Sequence, residues 1–259
     1  MSARFDFNET DIKKWEPNEK YDVVIANHSL HHVVDLEALF ESIHLSLDEK
    51  GFFLSNDMIG RNGDMRWPES LETMLALWSV LDERHKLNHA TGEYEPVYEN
   101  YDSSGEGFEG IRAQDILPLL LQKFHFDLFL GFNNLISVFI DRNFGPNFDP
   151  DDARDRHFID FVSGLDDYFI EVGKLKPTQM VVAMVKYPVK NTRVYRHLTP
   201  EFCLRPPHLD QNYIYITDPN PYAIRIGLIK KIRRRGFHKI IPKSLRVKLK
   251  ELISKFGTP

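Results

Sequence analysis

The stretch that decides the fold runs from residue 21 to residue 63 and reads YDVVIANHSLHHVVDLEALFESIHLSLDEKGFFLSNDMIGRNG. Residues 21–26 form an apolar, β-branched run without alternation, which is typical of a strand buried on both faces. From Asp35 onward, apolar residues recur at helical spacing, and Lys50-Gly51 is a typical end for such a helix. Residues 52–54 predict a second buried strand. The stretch therefore predicts a strand–helix–strand unit of an α/β protein.

Polar side chains crowd the ends of both predicted strands. They are Asn27, His28, Ser29, His31 and His32 after the first strand and Ser55, Asn56 and Asp57 after the second. Open α/β sheets bind their ligands at the carboxyl ends of the strands. The sequence therefore predicts a ligand site at this edge of the sheet.

The remaining pattern continues an α/β fold. Helical periodicity predicts helices over 68–87, 113–123 and 151–172, and strand composition predicts strands over 4–7, 124–132 and 179–185. Residues 135–140 suit a short helix or a short strand. The acidic segment 88–110 has no period, and a loop of this length is either functional or disordered. Its tyrosines, Tyr94, Tyr98 and Tyr101, either line a lid over a ligand or lie in solvent.

Two motifs in this pattern resemble a known family. YDVVIANHSLHHV is similar to the fourth strand and following loop of class I S-adenosylmethionine-dependent methyltransferases, and GFFLSNDMIG is similar to their fifth strand. GRNGDMRWPESLE resembles a small-molecule and glycan subgroup of that family. The resemblance covers roughly residues 3–187. It implies a Rossmann-like sheet whose seventh strand, 179–185, runs antiparallel at the sheet edge, and a methyl transfer to a small-molecule or glycan acceptor, foremost a hydroxyl.

The resemblance lacks the first strands of that family and the glycine-rich turn that wraps the methionine part of the cofactor. Only twenty residues precede Tyr21, and none of them is glycine. We therefore expect the chain to start at the family's third strand, as a truncated fragment or as a degenerate relative, and we favour the fragment. Unpaired strand edges then predict poor solubility or strand pairing with another copy. S-adenosylmethionine is the implied cofactor of the full-length parent. The alternative is a cofactor-free interaction module with a methyltransferase-like fold.

The resemblance also implies cofactor-binding residues. Asp11 matches the acid that accepts the adenine amino hydrogens, and the backbone N–H of Ile12 faces the ring. Asn27, His28 and Ser29 match the loop beside the methionine part of the cofactor. From the residues alone, Asp11 is equally a solvated acid that caps a turn, and the other three form a tight polar turn.

His31 and His32 are the candidates for a general base, because imidazole titrates near neutral pH. The alternative for each is a structural histidine that packs at the helix start and donates to a backbone carbonyl. His28, His31 and His32 together also suggest zinc. We do not favour a metal, because the spacing is not that of a metalloprotease helix and no downstream Cys/His pair completes a ligand set.

Asp57, Arg61 and Arg66 follow the second strand, where the family builds part of its acceptor site. Two guanidinium groups there suit a phosphate or carboxylate on the substrate. Helix capping and surface ion pairs explain the same residues equally well. Trp67 either stacks on a ring of the acceptor or packs in the core.

Composition is that of a soluble globular protein, with 42% hydrophobic and 27% charged residues. The single cysteine, Cys203, excludes an internal disulfide and suits a reducing, cytoplasmic compartment. Nothing near it activates a thiol, so we expect a buried or half-buried side chain rather than a nucleophile. The N-terminus does not resemble a signal peptide, and no apolar run approaches the length that spans a bilayer.

Charge is distributed unevenly along the chain. Residues 225–256 hold twelve Lys and Arg against one acid, with apolar residues at helical spacing, while the whole chain has a net charge of −5. We predict a partial methyltransferase domain over 1–187, a Pro-rich linker over 188–223 and a basic amphipathic helical tail over 224–259. An anionic membrane surface or an acidic partner is the favoured contact of the tail. Docking on the chain's own acidic body comes second, and nucleic acid is the least favoured because no recognition motif is present.

Overall fold

The computed structural model describes residues 15, 17, 19–105 and 107–206. These residues form a mixed α/β fold around one five-stranded sheet. Their strands, β1 to β7 in chain order, are Tyr21–Asn27, Leu47–Met58, Leu87–Asn88, Glu93–Tyr94, His125–Phe132, Gln179–Val185 and Arg193–Val194. Their α-helices, α1 to α6, are Leu36–Ser46, Pro68–Val80, Ala113–Lys123, Ile136–Ile140, Ala153–Glu171 and Pro200–Cys203. The α/β prediction is confirmed. The predicted strand 4–7, Asp11, Ile12 and the predicted tail lie outside the described residues.

The sheet has the strand order β1-β2-β6-β5-β7. β1 and β2 are parallel, and β6 runs antiparallel to both β2 and β5. The antiparallel direction predicted for residues 179–185 is confirmed. Their predicted position at the sheet edge is wrong, because β5 and then β7 continue the sheet on the far side of β6.

Helix α1 begins where the sequence predicts and ends earlier. The Asp35 side chain accepts a hydrogen bond from the Ala38 N–H at 3.1 Å, which caps the first turn. The helix ends at Ser46, and the chain is already extended at Leu47, so the predicted stop at Lys50-Gly51 is wrong. A Cβ atom on Gly51 would lie 2.8 Å from the carbonyl oxygen of Tyr21. This glycine therefore serves the close approach of β2 to β1 rather than a helix cap.

The prediction that β1 is buried on both faces is wrong for the described residues. Val24 and Ala26 pack against the main core, whereas Val23 is 46% exposed and Ile25 is 68% exposed. Helices α1 and α3 pack together and against β2, and they cover one face of this part of the sheet. The opposite face leaves Val23, Ile25 and Phe52 exposed. An unbroken apolar run indicated two buried faces, and only one is covered.

Two apolar clusters hold the described residues together. The first lies between α1, α3 and the sheet, and its aromatic centre is Phe53 with Phe124, whose ring centroids are 5.3 Å apart. The second joins α2, α4 and α5 around Trp78, which is 1% exposed. Helix α5 contributes Val162 to this cluster, whereas its Phe161 and Tyr168 are exposed.

Residues beyond 187 continue the folded body within the described part of the chain. β7 pairs with β5, and Leu198 and Cys203 are buried in the first cluster, although they fall in the predicted linker. Cys203 is buried, as expected, and this burial raises the pKa of its thiol to about 12. None of the described helices combines the length and apolar character needed to cross a membrane.

The exposure difference between the two faces of the sheet predicts different costs for two substitutions. Phe53→Ala should lower the free energy of unfolding by about 3–5 kcal/mol, because it leaves a cavity in a fully buried cluster. Ile25→Ala, on the exposed face, should cost less than about 1 kcal/mol. Urea unfolding of the two variants measures both values. A cost for Ile25→Ala close to that of Phe53→Ala would show that this face is covered in solution.

Candidate functional site

The Asp57 carboxylate connects the ends of β1 and β2. It is completely buried, and its Oδ2 accepts the backbone N–H groups of Ser29 and Leu30, each at 2.8 Å. Its Oδ1 accepts the N–H of Met58 at 2.9 Å and faces Nδ1 of His31 at 2.5 Å. Asp57 therefore fixes both the path of the chain after β1 and the orientation of one imidazole.

The predicted cofactor loop lies at the carboxyl end of β1. The His28 N–H donates to the Asn56 carbonyl at 2.8 Å, and the Asn56 side-chain amide donates to Oδ1 of Asn27 at 3.1 Å. His28 then takes a left-handed φ of 46°, which turns the chain into the short 3-10 helix Leu30–His32. Asn27 and His28 are exposed and Ser29 is half-buried, so the loop is accessible to a ligand.

Two histidines and a glutamate converge beside Asp57. The rings of His31 and His32 lie side by side, with centroids 4.1 Å apart. Nε2 of His31 is 3.5 Å from Oε1 of Glu109, and Nε2 of His32 is 3.7 Å from Oε2 of the same carboxylate. We call His31, His32 and Glu109 the histidine cluster. His31 is buried, whereas His32 and Glu109 are accessible, so the cluster opens to solvent on one side.

Backbone hydrogen bonds hold Glu109 at the cluster. The Ile111 N–H donates to the His31 carbonyl at 3.0 Å, and the Gly63 N–H donates to the Gly110 carbonyl at 2.9 Å. Phe108 and Gly110 on either side of Glu109 both have left-handed φ angles, 62° and 64°. Such backbone, uncommon for Phe108, clusters at functional sites. The sequence predicted a long acidic loop here, but no pattern singled out Glu109.

The electrostatics of the Asp57–His31 pair favour the charged carboxylate. Burial alone would lower the pKa of His31, but the hydrogen bond and charge of Asp57, with help from Glu109 and Asp64, outweigh it, so that the pKa of His31 is raised. Burial alone would raise the pKa of Asp57, and the hydrogen bonds from His31, Ser29 and Leu30 lower it. Nδ1 of His31 donates to the Asp57 carboxylate, so that in the neutral ring Nε2 is the acceptor, whereas in the protonated ring, which the raised pKa favours, Nε2 carries a proton that faces Glu109.

The two predicted arginines are placed differently. Arg66 is 4% exposed, and its guanidinium donates to the Asn134 carbonyl at 3.0 Å, to Ser137 Oγ at 3.3 Å and to Asp64 at 3.2 Å. These contacts tie Arg66 into the protein interior. Arg61 lies 5.5 Å from the centre of the Trp67 ring and donates to the Arg66 carbonyl at 3.2 Å.

Trp67 lies under a second guanidinium, that of Arg205, at 4.0 Å from the ring centre. Arg205 also forms an ion pair with Glu69 at 2.7 Å. The tryptophan therefore contacts two cations, which the sequence did not predict.

Segment 88–110 is structured rather than uniformly loose. It begins with the β3–β4 hairpin, and Tyr98 packs edge-on against Trp78 with ring centroids 5.4 Å apart. Burial raises the pKa of Tyr98, although nearby Arg66 opposes the shift. Tyr94 and Tyr101 are exposed.

A second buried His–Asp pair lies in the helical cluster. Nε2 of His85 is 2.8 Å from Oδ1 of Asp155, and the His85 ring stacks on Phe148 at 4.7 Å. Asp155 also accepts from Arg84 at 2.7 Å and from the Asp149 N–H at 2.9 Å. A cavity of about 370 Å³ is bordered by Asp155, but no residue predicted for the site lines it. Nδ1 of His85 is buried and has no hydrogen-bond partner among the described residues.

Comparisons with known proteins agree with the resemblance in the first part of the chain. Residues 2–93 match a family model described as a methyltransferase domain. This match covers β1 with Asn27, β2 with Asp57, and the short 3-10 helix that carries His31. None of the curated proteins matches the sequence.

Two solved structures of methyltransferases are among those that resemble this chain. One is an O-methyltransferase from a trans-AT PKS multienzyme of Brevibacillus brevis in complex with S-adenosyl-L-homocysteine. Its sequence is 15% identical, the superposition covers 82% of this chain and 61% of that chain, and the TM-score is 0.33. The other is the plantazolicin methyltransferase BpumL in complex with SAH. Its sequence is 13% identical, the superposition covers 68% of this chain and 56% of that chain, and the TM-score is 0.29. The present chain therefore spans about three fifths of the length of these structures.

The hydrogen bonds of Asp57 predict a large stability cost for its removal. Asp57→Ala leaves three buried N–H groups without an acceptor and should lower the free energy of unfolding by about 2–5 kcal/mol. Asp166 provides a matched control, because it is buried and accepts three backbone N–H groups, from Asn134, Leu135 and Ile136. Asp166→Ala should cost a similar amount in urea unfolding. If Asp57→Ala cost less than about 1 kcal/mol while Asp166→Ala did not, Asp57 would not be the connection described here.

Proposed function

We propose that this protein transfers a methyl group from S-adenosylmethionine to a hydroxyl group of a small-molecule or glycan acceptor. The observation that carries the proposal is His31, held by buried Asp57 at the carboxyl ends of β1 and β2 and next to the loop Asn27–Ser29. The family match over residues 2–93 supports the methyl donor. Ligands of α/β sheets bind at this end of the strands.

Methyl transfer of this kind is an in-line displacement at carbon. The acceptor oxygen forms the new C–O bond while the C–S bond of the sulfonium breaks, and its electron pair stays on sulfur, giving S-adenosylhomocysteine. The protein must align the two reactants and exclude water. A neutral hydroxyl is a poor nucleophile, so the site must also promote loss of the hydroxyl proton.

The histidine cluster is the place where we propose that the hydroxyl ionises. In the neutral ring, whose Nδ1 donates to Asp57, Nε2 of His31 carries a lone pair, and this atom lies 3.5 Å from Oε1 of the accessible Glu109. Asp57 acts as a positioning residue, since all its described contacts are with the protein itself. This differs from its predicted place among the substrate-binding residues.

The remaining predicted contacts become parts of the same proposal. Asn27, His28 and Ser29 border the methionine part of the cofactor, largely through their backbone. Arg61, which lies over Trp67, is the better placed of the two arginines to contact an anionic group on the acceptor, because Arg66 is buried among protein groups. Asp11 and Ile12 keep their proposed role at the adenine, outside the described residues.

Titration calorimetry of the full chain with S-adenosylhomocysteine tests the donor. Binding of one molecule per chain is the expected result. In a second arm, tritiated S-adenosylmethionine is supplied with a panel of hydroxyl-bearing small molecules and glycans, and label is expected in an ether product. Absence of S-adenosylhomocysteine binding would overturn the proposal for this chain.

The role of His31 predicts a selective loss of turnover. His31→Ala should lower kcat by roughly 10²- to 10⁴-fold, because the group that promotes ionisation is gone. Its affinity for S-adenosylhomocysteine should change little, since the cofactor contacts lie in the preceding loop. His125→Ala, at an exposed histidine at the start of β5, is the matched control and should keep full activity. Equal activity of the two variants, with both shown to be folded by thermal melting, would contradict the assignment.

A further inference from the structure

We propose that the histidine cluster binds a divalent transition-metal ion of the zinc type through Nε2 of His31, Nε2 of His32 and a carboxylate oxygen of Glu109. One potential ligand atom from each of the three residues lies within 4.8 Å of those of the other two. Two imidazoles and one carboxylate, with a further position open, form a donor set used by catalytic zinc sites. The sequence did not favour a metal, because the histidine spacing is not that of a metalloprotease helix and no downstream Cys/His pair completes a ligand set, whereas the fold brings a carboxylate from residue 109.

The distances in the cluster suit a shared ion better than direct hydrogen bonds. The two N···O separations, 3.5 and 3.7 Å, are too long for good hydrogen bonds between an imidazole and a carboxylate. Two ligand atoms each about 2.1 Å from a tetrahedral ion lie about 3.4 Å apart. The Glu109 carboxylate therefore lies about as far from each imidazole nitrogen as two ligands of one ion lie from each other, and it forms a close hydrogen bond with neither.

Asp57 gives one ligand the arrangement typical of metal-binding histidines. Such a histidine usually donates its other ring N–H to a carboxylate, which sets the tautomer and the direction of the lone pair. His31 Nδ1 lies 2.5 Å from Oδ1 of Asp57, and its Nε2 is the atom that faces Glu109. His31 itself is 4% exposed, so its ring has little freedom to turn away.

The third ligand is fixed in place by the backbone rather than by its own side chain. A hydrogen bond from the Ile111 N–H to the His31 carbonyl attaches the loop of Glu109 to the segment of the histidines, and one from the Gly63 N–H to the Gly110 carbonyl attaches it to the chain after β2. The ligand atoms are thus brought together by the fold without an ion, which reduces the ordering required on binding.

The catalytic consequence rests on the proposed function, whereas binding of the ion does not. An acceptor hydroxyl that occupies the open position loses its proton to water at a lower pH than in solution, because the cation stabilises the alkoxide. The bound alkoxide oxygen then attacks the methyl carbon as the C–S bond breaks. Glu109 and the histidines remain ligands throughout.

Metal titration of the full chain, with no cofactor or acceptor present, tests the site directly. Protein stripped with a chelator is titrated calorimetrically with ZnCl₂, and separately with MgCl₂. One zinc ion per chain is expected, with little competition from magnesium, which prefers oxygen ligands. Cobalt(II) in place of zinc should give the visible absorption of a tetrahedral site.

Variants separate this site from adventitious binding by other histidines. Glu109→Gln keeps the shape of the side chain and removes its charge, and His32→Ala changes an exposed residue, so both should fold. Asp57→Asn should lower the zinc affinity by about 10- to 100-fold, which is the usual effect of losing the partner of a ligand histidine. Glu109→Gln and His32→Ala should each lower the zinc affinity by more than this. His125→Ala is the matched control, because this histidine is exposed at the start of β5 and is not part of the cluster. It should bind zinc as the unchanged protein does.

Unchanged zinc affinity in Glu109→Gln and His32→Ala would overturn the proposal, as would equal binding of magnesium. Turnover in the presence of excess chelator distinguishes the remaining claims. If zinc binds as expected but activity persists in chelator, the metal site stands and its role in ionising the hydroxyl is refuted. If neither S-adenosylhomocysteine binding nor turnover is found while zinc binds, the proposed function fails and the metal site does not.

Discussion

The described part of the fold depends on one buried carboxylate at the point where two parallel strands end. A charged group in the interior is costly unless hydrogen bonds surround it, and Asp57 has four partners within 2.9 Å. Three of them are backbone N–H groups, two just after β1 and one at the last residue of β2, so the charge of Asp57 is stabilised only when the two chain segments adopt this arrangement. The fourth partner is His31, and through it the same constraint reaches the chemistry of the site.

The constraint explains why the cluster forms from residues far apart in sequence. β1 and β2 are neighbours in register, which brings Asn27 opposite Asn56 and places Asp57 beside the loop after β1. The short 3-10 helix then places the imidazole rings of His31 and His32 next to each other. Glu109 arrives from a long loop whose backbone bonds to the His31 carbonyl. Each contact orders the next, so that the accessible polar groups are positioned before any ligand binds.

Local patterns predicted most of the elements, because periodicity and capping are properties of neighbouring residues. The helix over 113–123 and the strand over 179–185 have the predicted bounds, and Asp35 begins α1 as expected. The sequence failed where the outcome depends on distant partners. An apolar run such as that of β1 is the same whether one face or two are covered, and only the packing of α1 and α3 decides between them.

The same limit applies to the site. The polar residues after β1 and β2 were found because strand ends are readable from sequence, but their roles depend on contacts. Arg66 was expected near a ligand, yet its guanidinium is held by the Asn134 carbonyl and Asp64. Glu109 was not singled out, because an acid in an acidic loop carries no local signal. What could not be predicted is therefore the long-range pairing, not the presence of polar groups.

Nitrogen-15 NMR of the histidine rings tests the central claim, that Asp57 fixes the tautomer and direction of His31. In the metal-free protein at a pH where the ring is neutral, the account predicts that His31 carries its proton on Nδ1, with a strongly hydrogen-bonded proton resonance, and that Nε2 is unprotonated. In Asp57→Asn this proton resonance should be lost. Observation of the Nε2–H tautomer for His31 in the unchanged protein would contradict the account, because Nε2 could then serve neither as a proton acceptor nor as a metal ligand.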